Sequence, residues 1–152
     1  MLIEQISLEI DAQKKSLDSA RMLSIESPGR MQSRYDSTAI ESAWVADGLS
    51  RALAEKRRNI ELLFNLRMVK ICDRIVISSV VTLEIEDKVT PSIKSYFIVP
   101  VASGYKLETD ERVVFTLTPE APLGRALLEK KVGDEVIVGG ALAKRGVIVT
   151  II

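Results

Sequence analysis

The stretch that decides the fold class runs from Ala121 to Val138 and reads APLGRALLEKKVGDEVIV. Pro122 suits the first turn of a helix, because its missing N–H would have no hydrogen-bond partner there. Three apolar residues recur at i, i+3 and i+4 and share one helix face: Leu123, Ala126 and Leu127. Gly133 and Asp134 then predict a turn, and a strand follows. A short one-sided helix that feeds a strand is typical of an α+β fold.

The chain before this stretch, from Met1 to Phe64, has the spacing of two helices. Ser27-Pro28-Gly29 ends the first helix, and the second starts near Thr38, which forms a capping-box pattern with Glu41. The apolar positions of the two helices are Ile3, Ile6, Ile10, Leu17, Ala20 and Leu23, then Val45, Leu49, Ala52, Leu53, Ile60 and Leu63. Two amphipathic helices joined by a short loop predict an N-terminal antiparallel helical hairpin.

Charges favour one register of this hairpin. With a turn near residue 30, Glu4 and Glu9 lie opposite the run Lys56-Arg57-Arg58. Each exposed pair of opposite charges is worth about 0.2–1 kcal/mol. Trp44 lies on or beside the apolar stripe of the second helix, so we expect it to pack between the helices.

The periodicity changes after Met68, where Val and Ile become frequent and partly alternate with polar residues. Strand candidates cover residues 75–86, 96–101, 105–107, 112–117, 135–138 and 146–152, separated by Gly, Pro and Asp turn signals. They predict a mainly antiparallel sheet with one helix that starts at Pro122. We therefore predict two domains, a helical hairpin over residues 1–67 and a sheet domain over residues 68–152.

Composition excludes several classes of function. The chain has 152 residues, no histidine and zero net charge, which excludes His-based triads, His-ligated zinc and a bulk field that attracts nucleic acid. The single cysteine, Cys72, cannot form an internal disulfide, and we expect a small buried hydrophobe in a reducing, cytoplasmic setting. No apolar run approaches the roughly 20 residues that a membrane helix needs, and Glu4 and Glu9 argue against a signal peptide.

The stretch from Ala121 resembles a segment of the Gre transcript-cleavage factors of bacterial RNA polymerase, roughly Ser-Pro-Leu-Gly-x-Ala-Leu-Leu-Gly-Lys-x-x-Gly-Asp. Ala121 stands in place of the serine, and Glu129 in place of the second glycine. Residues 34–38 and 40–46 are more weakly similar to a stretch of short Gre-like bacterial proteins. The predicted order of elements also matches this family.

The resemblance implies that the hairpin is a coiled coil that enters the secondary channel of RNA polymerase. It also implies that the C-terminal domain has an FKBP-like fold and docks on the rim of that channel. Carried over to this chain, the docking residues are Ala121, Pro122, Leu123 and Gly124.

The family places an Asp-x-x-Glu-Asn pattern at the hairpin tip, where the carboxylates help to hold a second magnesium ion. Magnesium prefers such oxygen ligands. Asp36 matches the aspartate, Ala39 stands where the glutamate would be, and Glu41 is the nearest later acid. Asp36 and Glu41 are thus the candidate metal ligands, for magnesium bound only within the polymerase complex and not by the isolated protein.

Other interpretations of the tip stay open. Glu41 has a local use as the capping partner of Thr38, and Asp36 suits a helix N-terminus, where the dipole favours an acid by roughly 0.3–1 kcal/mol. Arg30 and Arg34 would repel a cation. We therefore expect weak or absent stimulation of transcript cleavage.

The leading hypothesis is a non-enzymatic transcription elongation regulator that binds RNA polymerase, with no membrane partner and no small-molecule substrate. The candidate contacts for nascent RNA are Lys14-Lys15 and Lys56-Arg57-Arg58. An FKBP-type prolyl isomerase is an alternative, but it needs an aromatic-lined pocket and the C-terminal half has only four aromatic residues: Tyr96, Phe97, Tyr105 and Phe115. A second alternative is a protein-interaction module with another partner.

Overall fold

The computed structural model describes residues 1–26, 38–69, 73–86, 90–139 and 143–152. The chain forms two compact units, Met1–Glu61 and Leu62–Ile152. Helical and strand segments separate along the chain as the sequence predicts: two long helices come first, and the strands follow. The architecture is therefore α+β.

The first unit is built from two helices, α1 (Leu2–Glu26) and α2 (Thr38–Phe64). Their inward positions alternate between spacings of three and four residues, the spacing that keeps one seam facing a partner helix. These positions are Ile6, Ile10, Gln13, Leu17 and Ala20 on α1, and Ser42, Ala46, Leu49, Leu53, Lys56 and Ile60 on α2. The predicted helix bounds are confirmed to within a residue or two.

Two contacts across the seam define an antiparallel register. Lys56 forms an ion pair with Glu9, and the Arg21 guanidinium donates to the Ser50 hydroxyl at 3.5 Å. The predicted apposition of Glu9 and Lys56 is thus confirmed. Glu4 instead meets the N-terminal ammonium at 2.7 Å, and that hydrogen bond and charge lower the pKa of Glu4.

Among its described residues, the second unit contains the end of α2, one six-stranded sheet and one short helix. In chain order the strands and the short helix are β1 (Val80–Ile85), β2 (Ser92–Ile98), β3 (Lys106–Glu108), β4 (Val113–Leu117), α3 (Pro122–Leu127), β5 (Glu135–Val138) and β6 (Lys144–Ile151). The spatial order is β3-β4-β2-β1-β6-β5. All six predicted strands and the helix that starts at Pro122 are present.

The sheet is mainly antiparallel, as predicted, with one parallel pair of strands. β2 and β4 pair in parallel, with Tyr96 opposite Phe115, whereas the other four pairs are antiparallel. The reason is that β3 does not pair with β2. It forms an edge hairpin with β4, and β4 is thereby placed beside β2 in the same direction.

The core lies on one face of this sheet, beneath α3. Its fully buried members come from the central strands and the helix: Val81, Leu83, Ile98, Leu127 and Ile148, with Ile75 from the segment before β1. Tyr96 packs at the edge of this core, its ring centroid 6.3 Å from that of Phe115, and burial raises the pKa of its phenol.

Two strands begin four or more residues from their predicted start, and the other four begin within two residues of it. The segment from Ile75 is not extended, because the Val76 N–H donates to the Ser79 hydroxyl at 3.1 Å and Ser78 has a φ of 84°. This turn delays β1 until Val80. β2 begins earlier than predicted, at Ser92, directly after Pro91. None of the helices in the described parts of the chain is long and apolar enough to cross a membrane.

Candidate functional site

The tip of the hairpin carries the predicted metal ligands, of which the structure describes one. Glu41 is exposed in the first turn of α2. Asp36, Arg30, Arg34 and Ala39 lie outside the described residues or side chains, so the pairing of Asp36 with Glu41 stays a prediction. Within the described ranges no group of three or more His, Cys, Asp or Glu side chains could hold a metal ion.

The end of the hairpin next to the tip exposes large apolar side chains. Trp44 is 73% exposed, and four more are at least half exposed: Met22, Leu23, Ile40 and Val45. The prediction that Trp44 packs between the helices is therefore wrong. Ser42 and Ala46 face the seam, and two residues along a helix turn the side chain by about 200°, so Trp44 points away from α1.

A groove follows the middle of the hairpin, with a cavity volume of about 450 Å³. Its floor is apolar and includes Leu17 and Leu53, which are 7% and 5% exposed. Its rim is polar, with three cations, one acid and one hydroxyl: Lys14, Arg21, Arg57, Asp18 and Ser50. The groove thus combines an apolar strip with an excess of positive charge, a pattern that motif-based sequence reasoning missed because its members are far apart in the chain.

The docking candidates on the second unit lie at the start of α3. Ala121 is the N-cap residue with an extended backbone, and no side chain caps the helix. This is the expected consequence of an alanine where the resembling family has a serine, whose hydroxyl could accept from a free N–H of the first turn. Pro122 is exposed, whereas Ala121 and Leu123 are half-buried against the core.

Gly124 is buried, unlike the other three docking candidates, and it packs against the backbone of Thr118 and Pro119. A Cβ at this position would overlap the carbonyl oxygen of Thr118 and lie 3.3 Å from the Cα of Pro119. The glycine therefore allows α3 to lie directly on the preceding turn. Of the four docking candidates, Pro122 presents the most accessible surface, and binding through this segment stays a prediction.

Glu129, which stands in place of the second glycine of the Gre pattern, lies just after the end of α3. Glu129 has a φ of 64°, in the left-handed region that favours glycine. Its N–H donates to the Ile75 carbonyl at 2.9 Å, and its carboxylate lies 3.8 Å from the Arg74 guanidinium. The backbone here thus requires the conformation for which the resembling family uses glycine.

Comparisons with solved structures find matches that cover most of this chain. GreA factor homolog 1 of Thermus thermophilus is 20% identical, with a TM-score of 0.39, and the match covers 98% of this chain and 93% of that one. The homolog from Thermus aquaticus is 22% identical, with a TM-score of 0.41, covering 97% and 92%. The elongation factor GreA/GreB from Nitrosomonas europaea is 19% identical, with a TM-score of 0.37, covering 69% and 89%.

No protein-family model matches this chain. A search of curated proteins also found no match.

Proposed function

We propose that this protein is a Gre-like transcription elongation regulator that binds bacterial RNA polymerase at its secondary channel. The observation that carries the proposal is the Ala121–Asp134 segment, which resembles the Gre pattern in sequence. Its two departures from that pattern, Ala121 and Glu129, fall at an uncapped helix start and at a left-handed backbone position. The serine and glycine of the family pattern suit these two positions, which supports the family assignment.

The hairpin would act by occupying the channel. Its length is consistent with this role: α1 has 25 residues and α2 has 27, each a rod of roughly 40 Å at 1.5 Å per residue. The exposed apolar side chains near the tip, Trp44 above all, would then contact the channel wall. Regulation follows from steric occupancy, since no step of this mechanism requires a catalytic group of the protein itself.

Cleavage stimulation is proposed to be weak or absent. A metal-recruiting tip needs two convergent carboxylates, and the sequence offers Asp36 and Glu41 with Ala39 at the intervening family position. We propose that magnesium is held at the tip only within the polymerase complex, where polymerase supplies further ligands. A cytoplasmic location and contact with nascent RNA belong to the same proposal.

Docking is tested by affinity for purified RNA polymerase. Pro122→Glu keeps a residue that suits a first helical turn, changes an exposed surface and spares Leu123, which packs on the core. We expect weaker binding, whereas the matched control Ile93→Glu, at a site on β2 that is 73% exposed, should bind normally. Equal affinity of a folded Pro122→Glu protein would exclude this loop as the docking surface.

The chemistry is tested on a stalled elongation complex with magnesium and increasing protein. The occupancy mechanism predicts slower nucleotide addition without transcript shortening. Robust shortening that disappears in Asp36→Ala would show instead that the tip recruits a metal. Catalysed prolyl isomerisation of a model peptide, without polymerase binding, would favour the isomerase alternative.

A further inference from the structure

The groove on the hairpin has two unlike ends. The register set by Glu9–Lys56 and Arg21–Ser50 brings Lys14 of α1 and Arg57 of α2 to the same end, from opposite sides. Arg21 and Ser50 lie at the other end, about two helical turns away, which is roughly 10 Å along α1. Between them the floor consists of Leu17 and Leu53, so an apolar strip separates two polar ends.

The cations of this groove are not neutralised by neighbours. Among the described residues, no carboxylate forms an ion pair with Lys14, Arg21 or Arg57. Elsewhere on the hairpin Arg51 is paired with Asp47, and Lys56 with Glu9. The groove therefore holds three cations against the single carboxylate of Asp18, and a ligand with several negative charges would complement it.

We propose that this groove binds a nucleoside triphosphate. The phosphates meet Lys14 and Arg57, whose charged donors suit phosphate oxygens. The base lies over the strip of Leu17 and Leu53, and the polar end supplies hydroxyl, guanidinium and carboxylate groups to its edges or to the ribose. A volume of about 450 Å³ is in the range of small-molecule sites. This site does not depend on polymerase binding, so either proposal can fail without the other.

The test is calorimetric titration of the full-length protein with ATP, GTP, inorganic tripolyphosphate and a short single-stranded RNA. We expect saturable binding of the nucleotides that weakens at high salt. The double variant Lys14→Gln, Arg57→Gln should weaken it by at least about tenfold. Arg51→Gln is the matched control, because this exposed arginine lies on α2 and outside the groove, and its binding should stay within about twofold.

The remaining outcomes separate nucleotide binding from other anion binding. Equal affinity for tripolyphosphate would mean that the apolar floor contributes nothing, and would overturn the nucleotide assignment. Much tighter binding of RNA that displaces ATP would assign the groove to RNA instead. Unchanged affinity in the double variant, with a normal far-ultraviolet circular dichroism spectrum, would remove the groove as the site. The proposal is supported if the protein binds ATP more tightly than tripolyphosphate and if the double variant loses its binding of ATP.

Discussion

Glu129 holds a backbone conformation that suits glycine, and this makes a testable difference in stability. A side chain in the left-handed region costs about 1–2 kcal/mol, partly offset because glycine loses more backbone entropy on folding, about 0.5–1 kcal/mol. We therefore expect Glu129→Gly to raise the free energy of unfolding by about 0.5–1 kcal/mol, measured by urea denaturation. Glu129→Ala is the control: it removes the Arg74 pair but keeps Cβ, and should not stabilise. Equal stabilisation by both variants would contradict the strain argument.

Two glycines in helices should respond oppositely to the same substitution. Gly124→Ala places a Cβ against the Thr118 carbonyl, and we expect a loss of about 1–3 kcal/mol, the usual range for overpacking. Gly48→Ala meets nothing within 4 Å in α2 and should gain about 0.5–1 kcal/mol. Thermal unfolding of the two variants checks this. A neutral Gly124→Ala would show that α3 can move away from the preceding turn.

The hairpin register depends on a polar pair within an otherwise mostly apolar seam. The side chains of Lys56 and Glu9 are 23% and 44% exposed, so their attraction is worth up to about 1 kcal/mol. We expect Lys56→Glu to destabilise the hairpin by like-charge repulsion, and the exchange Glu9→Lys, Lys56→Glu to restore most of the loss. Helix content against temperature gives the readout. If the double variant is no better than the single one, the pair does not couple the helices.

The helices and strands can be predicted because each has a clear hydrophobic periodicity. Which strands pair, and which side chains face each other between the helices, is harder to predict. The parallel pairing of β2 with β4 depends on β3 taking the edge, and three residues of sequence do not indicate which strand they join. Trp44 lies beside the apolar stripe of α2 in sequence, but the three-and-four spacing of the seam runs through Ser42 and Ala46, which leaves Trp44 on the outer face. The groove has no sequence motif, since Lys14 and Arg57 are 43 residues apart in the chain and come to the same end of the groove only in the observed register of the two helices.

We expect the two units to differ in stability when each is produced as an isolated fragment. All six strands and α3 lie within Leu62–Ile152, so we expect a fragment of these residues to keep a cooperative sheet fold. A fragment of residues 1–61 has only a narrow seam interrupted by Gln13 and Lys56, and should be partly unfolded at room temperature. Circular dichroism and amide exchange of the two fragments test this. A fragment 62–152 without protected amides would show that the sheet needs the hairpin.

The central position of β1, between β2 and β6, has a consequence for the timing of folding. The hairpin makes its contacts within the first part of the chain, so it can begin to form, as a partly folded pair of helices, while the ribosome is still making the sheet domain. β1 can pair with β2 once both have emerged, but its other edge stays open until β6, which follows all the other strands of the sheet in the chain, has also emerged. During that interval one backbone edge of β1 is unpaired, and its apolar side chains Val81, Leu83 and Ile85 are incompletely covered. The growing chain therefore exposes an edge strand that is prone to aggregation. Slow translation between β2 and β6 would lengthen that exposure and favour aggregation, independently of how stable the finished protein is.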